Sequence, residues 1–288
     1  MVIGLLPIIL LGLIQGAAEL LPISSSAHVI VAEKLMGIDP TSPEATFLLI
    51  MLHTGTMFAV LVYFWKRWYQ LYFSSAEKLR QVAVLAVVAT ALTGVIGEGL
   101  KLVIERGVLG TSTSPGEVEE LFGKLWLIGA GLAAAGVLIL AAGYARRVEA
   151  DGADVTARSA AWMGLVQGLV LPFRGFSRSG STISVGLFAG TGRRAAEDFS
   201  FVLAVILTPP LIVVELHRLI KLHASETEQH HLAHLAAPAL VGMAASFFAG
   251  LLGLRLLSRW LEQGRWQYFG YYCLFASLLV FALWQAGV

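Results

Sequence analysis

The chain has 288 residues, of which 57% are hydrophobic and only 14% are charged, and its mean hydropathy is +0.76. Soluble domains usually carry about 25% charged residues, so this composition excludes an ordinary cytosolic enzyme. A net charge of +1 argues against nucleic-acid binding. The single cysteine, Cys273, excludes a disulfide framework and a cysteine-based metal site. The composition therefore predicts an all-α polytopic membrane protein.

Six segments are long and apolar enough to cross a bilayer, which takes about 20 apolar residues. They lie at about 46–64, 81–99, 124–145, 199–216, 236–258 and 267–286. Two further apolar stretches, 1–37 and 159–190, are interrupted by Pro22 and Pro172 and by neighbouring serines. Irregular backbone survives at membrane depth only where protein or a polar cavity satisfies its hydrogen bonds. We therefore expect six spanning helices and two re-entrant helical hairpins with polar tips.

Basic residues are concentrated in alternate loops. Twelve lie in the loops predicted at 65–80, 146–158, 191–198 and 255–266, and four lie in those at 38–45, 100–123 and 217–235. Basic loops stay in the cytoplasm, so both termini are predicted outside, provided that each broken stretch returns to the side it entered from. The pattern Arg193, Arg194, Glu197 and Asp198 is interpreted as the anchor of a short cytoplasmic turn.

The chain divides into two similar halves, about 1–145 and 156–288. Each half contains one broken stretch followed by three spans, and because three is odd, the second half enters the membrane upside down. Gln15-Gly16 before the first break is echoed by Gln167-Gly168 before the second. Inverted repeats with discontinuous helices place their site near the midplane, where the breaks meet. We expect one integral membrane domain with its site between the two tips.

Ionisable groups inside a membrane are costly and mark a functional site by default. Glu19 and His28 flank the first break, and Arg174 and Arg178 lie in the second. Hydroxyl groups surround them, on Ser24, Ser25, Ser26, Ser177, Ser179, Ser181 and Thr182. A guanidinium fork matches phosphate oxygens, and helices beginning after the two breaks, at about Pro22 and Gly180, would direct positive dipole ends at the same anion. This set suits a phosphate or a diphosphate.

Two kinds of chemistry are open to these residues. A serine becomes a nucleophile when a base lies near it, and either His28 or Glu19 could serve as that base. Ser25 lies three residues before His28, so a helix would place both side chains on one face. Glu19 could equally hold a divalent cation, because hard cations prefer carboxylate ligands. The competing interpretation is structural: serine clusters also permit tight helix packing.

Two motifs resemble those of a known family. Residues 15–28 (Gln-Gly-Ala-Ala-Glu-Leu-Leu-Pro-Ile-Ser-Ser-Ser-Ala-His) closely resemble the first signature of the bacterial undecaprenyl-diphosphate phosphatases, the bacitracin-resistance proteins. Residues 175–184 (Gly-Phe-Ser-Arg-Ser-Gly-Ser-Thr-Ile-Ser) resemble their second signature. The resemblance implies hydrolysis of undecaprenyl diphosphate to undecaprenyl phosphate and phosphate, which recycles the lipid carrier for cell-wall synthesis. It also implies a divalent cation, Mg²⁺ or Ca²⁺, and a place in the bacterial cytoplasmic membrane.

The resemblance also implies roles for individual residues. Ser25 resembles the nucleophile or a phosphate ligand, Glu19 and His28 the acid and base, and Arg178 the charge stabiliser. Candidate phosphate-binding residues are Ser24, Ser26, Ser177, Ser179, Thr182 and Arg174. Glu19 and Gln15 are the candidate cation ligands, although some members carry a second Glu at the position of Gln15. Ala27 stands where the family usually has glycine, which limits left-handed backbone before His28.

The alternative function is a transporter or flippase of a polyprenyl phosphate lipid, because broken helices in inverted repeats are also the plan of many transporters. The reactive set Glu19, Ser25 and His28 favours the phosphatase, since binding alone does not require it. The expected partners are the polyprenyl diphosphate substrate and membrane lipids, with no nucleic acid. A homodimer is an open alternative.

Overall fold

The computed structural model describes residues 3–40, 42–104, 124–145, 153–222 and 226–287, and their side chains except those of 218–234. These residues form ten helices: α1 (Leu5–Leu20), α2 (Ser25–Leu35), α3 (Pro43–Tyr72), α4 (Ala76–Ile104), α5 (Leu125–Ala145), α6 (Ala157–Val170), α7 (Arg178–Phe188), α8 (Arg193–Leu222), α9 (Glu226–Glu262) and α10 (Gln267–Gln285). The described ranges contain no strand beyond one isolated bridge between Ala153 and Thr191. The all-α prediction is confirmed.

Six of the ten described helices are long and apolar enough to cross a membrane: α3, α4, α5, α8, α9 and α10. They match the six predicted spans, but several run further than predicted. Helices α3 and α4 contain 30 and 29 residues, so the loop predicted at 65–80 shrinks to residues 73–75. Hydropathy detects the apolar part of a helix, whereas polar residues such as Lys66 continue the same backbone hydrogen bonding beyond it.

The two remaining apolar stretches are broken where the sequence predicts. Residues 21–24 separate α1 from α2, and residues 171–177 separate α6 from α7. The four helices contain 16, 11, 14 and 11 residues. At about 1.5 Å per residue, each is shorter than the roughly 30 Å hydrocarbon core of a bilayer. No single helix of either pair can therefore span a membrane alone, and re-entry of the pairs stays a prediction.

Small residues bring α1 very close to α9. A Cβ atom added to Gly16 would lie 2.3 Å from the carbonyl oxygen of Ser246, and one added to Gly12 would lie 2.6 Å from that of Gly242. Both glycines are buried and four residues apart, as in other small-residue contacts between membrane helices. The close approach places the end of α1, and with it Glu19, against the interior of the protein.

The same contact recurs between α6 and α4. A Cβ atom added to Gly164 would lie 2.3 Å from the carbonyl oxygen of Ala89, and one added to Gly168 would lie 2.6 Å from that of Thr93. Thr93 also donates a hydrogen bond to the carbonyl oxygen of Gly164 and accepts one from Gln167. Thus α1 packs on α9, and α6 packs on α4. In both cases the first helix of a broken pair contacts the second of the three long helices in the other half of the chain.

Glu197 and Asp198, near the start of α8, are buried. The interpretation of this acidic pair as an interfacial anchor is therefore wrong. Glu197 and Asp198 are 0% and 1% exposed. Asp198 forms an ion pair with Arg67 of α3, with 2.7 Å between Nη2 and Oδ2, and Glu197 accepts a hydrogen bond from Ser258 of α9. These side chains face inward because their polar partners, Arg67 and Ser258, lie on the neighbouring helices α3 and α9. They tie α3, α8 and α9 together.

Gly16→Ala should lower the thermal stability of the purified protein, because the new methyl group meets backbone that cannot move aside. The expected loss is about 1–3 kcal/mol, as for other overpacked interiors. Gly94→Ala is the matched control, since nothing lies within 4 Å of a Cβ atom at this exposed position in α4. Equal unfolding temperatures for the two variants would contradict the close α1–α9 contact.

Candidate active site

Both helix breaks end in a serine with unusual backbone geometry. Ser24, immediately before α2, has φ of 69°, and Ser177, immediately before α7, has φ of 25°. Among the described residues, these are the two non-glycine residues with positive φ. Such conformations cost energy and cluster at functional sites. Ala27 lies inside α2 with ordinary helical backbone, so the absence of glycine there imposes no strain.

The two breaks touch each other. The backbone amide of Gly175 donates to Ser26 Oγ over 3.5 Å, and Ser179 Oγ donates to the carbonyl oxygen of Leu21 over the same distance. Between them, Arg178 Nη2 donates to Glu19 Oε1 at 3.0 Å. Residues about 150 positions apart therefore form one polar cluster, where the sequence predicts the two tips to meet.

Glu19 lies at the centre of this cluster. Its Oε1 atom accepts from Arg178, while its Oε2 atom accepts a short hydrogen bond from Ser25 Oγ and a 3.3 Å bond from Gln15 Nε2. The Glu19 and Arg178 side chains are each 17% exposed. A carboxylate in direct contact with a serine hydroxyl can accept its proton. Glu19 is thus in place to act as the base for Ser25.

His53 belongs to this cluster, although the sequence analysis did not include it. It lies in the middle of α3, with Nε2 3.8 Å from Glu19 Oε2 and Nδ1 donating to the carbonyl oxygen of Leu49 at 2.9 Å. A single imidazole inside an otherwise apolar span is a signal that could have found it. Its partner Glu19 could not be identified from the sequence alone, because no motif connects α3 to the first break.

His28 does not share the hydrogen-bond partner of Ser25, although the two residues lie near the start of α2. Its Nδ1 atom lies 2.7 Å from the carbonyl oxygen of Ser24, and its Nε2 atom lies 2.7 Å from the hydroxyl of Tyr272. The three-residue spacing placed both side chains near the first break, but Ser25 bonds to Glu19, whereas His28 bonds to Ser24 and to Tyr272 of α10. Glu19, rather than His28, holds the Ser25 hydroxyl.

The candidate phosphate-binding residues occupy different positions around the breaks. Ser24 and Ser26 lie with their hydroxyl oxygens 3.3 Å apart beside the start of α2. Ser177 caps α7 by accepting from Gly180 N at 3.2 Å. Thr182 is fully buried and bonds to Ser200, with 2.6 Å between the hydroxyl oxygens. The hydrogen bonds of Ser177 and Thr182 go to other residues of the protein. Contacts of all these residues with phosphate stay predictions.

The second break differs from the sequence expectation in two details. Helix α7 begins at Arg178, before the expected start after Gly180, so Arg178 belongs to its first turn. Arg174 is half-buried and lies close enough to Glu33 of α2 for electrostatic attraction. Arg174 therefore brings positive charge from the second break near Glu33 of α2, and a role in binding phosphate stays a prediction.

Two buried polar atoms in the cluster have no hydrogen-bond partner among the described residues. They are Arg178 Nη1 and Gln15 Oε1. An unsatisfied buried polar atom costs about 1–3 kcal/mol, so its presence calls for a partner that binds there. A free guanidinium nitrogen suits a phosphate oxygen, and an amide oxygen beside a carboxylate suits a divalent cation.

A narrow cleft leads to the ion pair. It is lined by Glu19 and Arg178 together with side chains of α1, α3 and α8, namely Leu20, Thr56, Met57, Val60, Ala204, Val205 and Thr208. Most of this lining is apolar, and the charged groups lie together. The start of α2 also lacks a side-chain cap from Ser24, which leaves its first amide groups available to an anion.

Comparisons with known proteins identify the family to which the chain belongs. The family model for the bacitracin resistance protein BacA matches residues 8–279, and the chain belongs to this family of membrane proteins. A protein named undecaprenyl-diphosphatase 2 from Acinetobacter baylyi is 52% identical over 97% of this chain and 98% of its own length. Proteins named undecaprenyl-diphosphatase from Desulfosudis oleivorans and Rhodopirellula baltica are 35% and 32% identical, over 92% and 97% of this chain and 93% and 98% of their own lengths.

Arg178→Lys should reduce catalytic turnover, because an ammonium group cannot bind Glu19 and a phosphate oxygen through one planar fork. The expected loss is about 10²–10³-fold in kcat, as for removal of one preorganised donor. The measurement is phosphate release by the purified variant, with the exposed Arg259→Lys as a control for the substitution itself. Near-normal turnover in a folded Arg178→Lys variant would assign the residue a structural role.

Proposed function

We propose that this protein hydrolyses undecaprenyl diphosphate to undecaprenyl phosphate and inorganic phosphate, and so recycles the lipid carrier of cell-wall synthesis. The names of its relatives support the substrate and the reaction. One observation carries the proposal: the Ser25 hydroxyl is bound to the Glu19 carboxylate, which also pairs with Arg178 across the two breaks. Nucleophile, base and anion-binding group thus lie within one cluster.

The reaction proceeds through attack by Ser25. Its oxygen bonds to the terminal phosphorus, Glu19 accepts the hydroxyl proton, and the bond from that phosphorus to the bridging oxygen breaks. Undecaprenyl phosphate leaves with the bridging oxygen, and Arg178 offers its free nitrogen to the phosphoryl oxygens as charge develops there. Water then attacks the phosphoserine, which releases phosphate and restores Ser25. For that step Glu19, which has passed its first proton to the departing lipid phosphate, accepts a proton from the water and gives it to the Ser25 oxygen as the bond to phosphorus breaks.

The residues beside Glu19 fit a divalent cation, Mg²⁺ or Ca²⁺. The Glu19 carboxylate and the unpartnered Oε1 atom of Gln15 are oxygen ligands of the kind both ions prefer. The described residues contain no cluster of three or more His, Cys, Asp or Glu side chains suited to a metal, so substrate oxygens and water would complete the coordination. When bound, the cation would neutralise part of the diphosphate charge.

The cleft supports a substrate with an apolar tail. Its lining combines the charged pair with apolar side chains of α3 and α8, including Met57, Val60 and Val205. A polyprenyl diphosphate has the same division between an anionic head and a hydrocarbon chain. The head would lie against Arg178 and the start of α2, and the chain would extend toward the lipid. Membrane lipids are therefore the other expected partners.

The membrane arrangement that we propose is an inverted repeat with two re-entrant hairpins. Two observations support it: the exchange of packing partners described for Gly16 and Gly164, and the strained serines Ser24 and Ser177 at equivalent breaks. The distribution of basic residues supports an orientation with both termini outside, and the similarity to undecaprenyl-diphosphatases supports a place in the bacterial cytoplasmic membrane. The whole chain, 1–288, then forms one membrane domain with repeats at about 1–145 and 156–288.

Ser25→Ala should abolish phosphate release from undecaprenyl diphosphate in a single-turnover assay, while binding of the lipid persists because Arg178 and the start of α2 are unchanged. The matched control is Ser258→Ala, which removes another buried serine that donates to a carboxylate, that of Glu197. Near wild-type hydrolysis by Ser25→Ala would show that water, rather than Ser25, attacks the phosphorus. Wild-type protein that binds the lipid and never releases phosphate would support the transporter alternative.

The proposed orientation predicts a labelling pattern in intact cells. A cysteine at Ala286, in the exposed C-terminal segment, should react with a membrane-impermeant maleimide, and one at Ser75, between α3 and α4, should react only after permeabilisation. The native Cys273 is buried and serves as the unlabelled background. The reverse pattern would overturn the proposed orientation.

A further inference from the structure

His28 is held in one tautomer by the backbone. A carbonyl oxygen can only accept a hydrogen bond, so the contact of His28 Nδ1 with Ser24 O, at 2.7 Å, requires a proton on Nδ1. In the neutral imidazole the other nitrogen, Nε2, then carries a lone pair and accepts. The strained break at Ser24 thus determines the chemical state of a side chain one turn further along α2.

The Tyr272 hydroxyl is the second hydrogen-bond partner of this imidazole. Its oxygen lies 2.7 Å from His28 Nε2, and the two rings stack with centroids 5.7 Å apart and planes inclined by 14°. A phenol both donates and accepts. It donates to Nε2 when His28 is neutral and accepts from Nε2 when His28 is protonated, so the imidazole keeps this partner in both states.

Helix α10 presents Tyr272 to the first break in a defined register. The next residue, Cys273, is fully buried, and its thiol donates to the carbonyl oxygen of Pro22 over 3.4 Å. Two consecutive residues of α10 therefore contact the first break and the helix that follows it: Cys273 contacts Pro22 in the break, and Tyr272 contacts His28 in α2. Tyr271, in contrast, points away from the break and bonds to Tyr144, with 2.6 Å between the hydroxyl oxygens.

We propose that Tyr272 is a positioning residue for His28: its hydroxyl fixes the orientation of the imidazole and stays hydrogen-bonded to Nε2 in both protonation states. Its kinetic consequence rests on the proposed phosphatase function and on the acid or base role that the family resemblance implies for His28, whereas its structural part stands without either. Tyr272 acts through His28, so its effect depends on the presence of the imidazole.

The kinetic test uses Tyr272→Phe, which keeps the stacked ring and removes only the hydroxyl. With undecaprenyl diphosphate, kcat should fall about tenfold, the effect of one lost hydrogen bond at its upper range, while KM changes less than about twofold. The control Tyr271→Phe, which removes the neighbouring hydroxyl, should keep wild-type kinetics. In a His28→Ala background, Tyr272→Phe should cause no further loss, because the residue through which it acts is already absent.

The spectroscopic test needs no substrate. In ¹⁵N-histidine-labelled protein in lipid bilayers, solid-state NMR should show His28, assigned by the loss of its signals in His28→Ala, with a proton on Nδ1. Tyr272→Phe should shift the Nε2 resonance, and Tyr271→Phe should leave it unchanged. If wild-type protein releases no phosphate, the proposed function fails while this test still decides the role of Tyr272. An unchanged Nε2 resonance, or an equal loss of kcat with and without His28, would overturn the proposal.

Discussion

The structure depends on one ion pair that joins two halves of the chain. Glu19 and Arg178 are 159 residues apart, and their 3.0 Å contact lies between the two helix breaks. Neither charge would be tolerated alone at membrane depth, because desolvation of an unpaired ion costs several kcal/mol. Pairing offsets this cost for both charges. It also leaves Glu19 Oε2 for Ser25, and it leaves Arg178 Nη1 without a partner among the described residues. The arrangement that stabilises the charges is therefore also the arrangement that can bind and attack a phosphate.

Close helix packing is what brings the breaks together. Gly16 and Gly164 allow α1 and α6 to approach the backbones of α9 and α4, each from the opposite half of the chain. The contacts between the tips are mostly long hydrogen bonds of 3.5 Å, so they could not hold the halves in register by themselves. The helices thus supply the positional constraint, and the tips supply the chemistry. The two serines with positive φ, Ser24 and Ser177, lie at the tips, at the ends of the two breaks.

Much of the fold and part of the site could be predicted from the sequence. Hydropathy gave the six spans, and proline followed by serine gave both breaks, because these signals are local. The partners of individual side chains could not be predicted in the same way. The spacing of Ser25 and His28 suggested a shared face, but Glu19 holds the serine and Tyr272 holds the histidine. His53 and Tyr272 come from α3 and α10, and only the three-dimensional packing brings them to the first break.

A double-mutant cycle on Glu19 and Arg178 tests the central claim most directly. The thermal stability of the purified protein in one detergent would be compared among wild type, Glu19→Gln, Arg178→Gln and the double variant. Each single change leaves one charge without its partner. The double variant should therefore lose less unfolding free energy than the two single variants lose together, by at least about 1 kcal/mol. Losses that add to within about 0.5 kcal/mol would show that the two residues are independent, and would contradict the claim that the two breaks form one site.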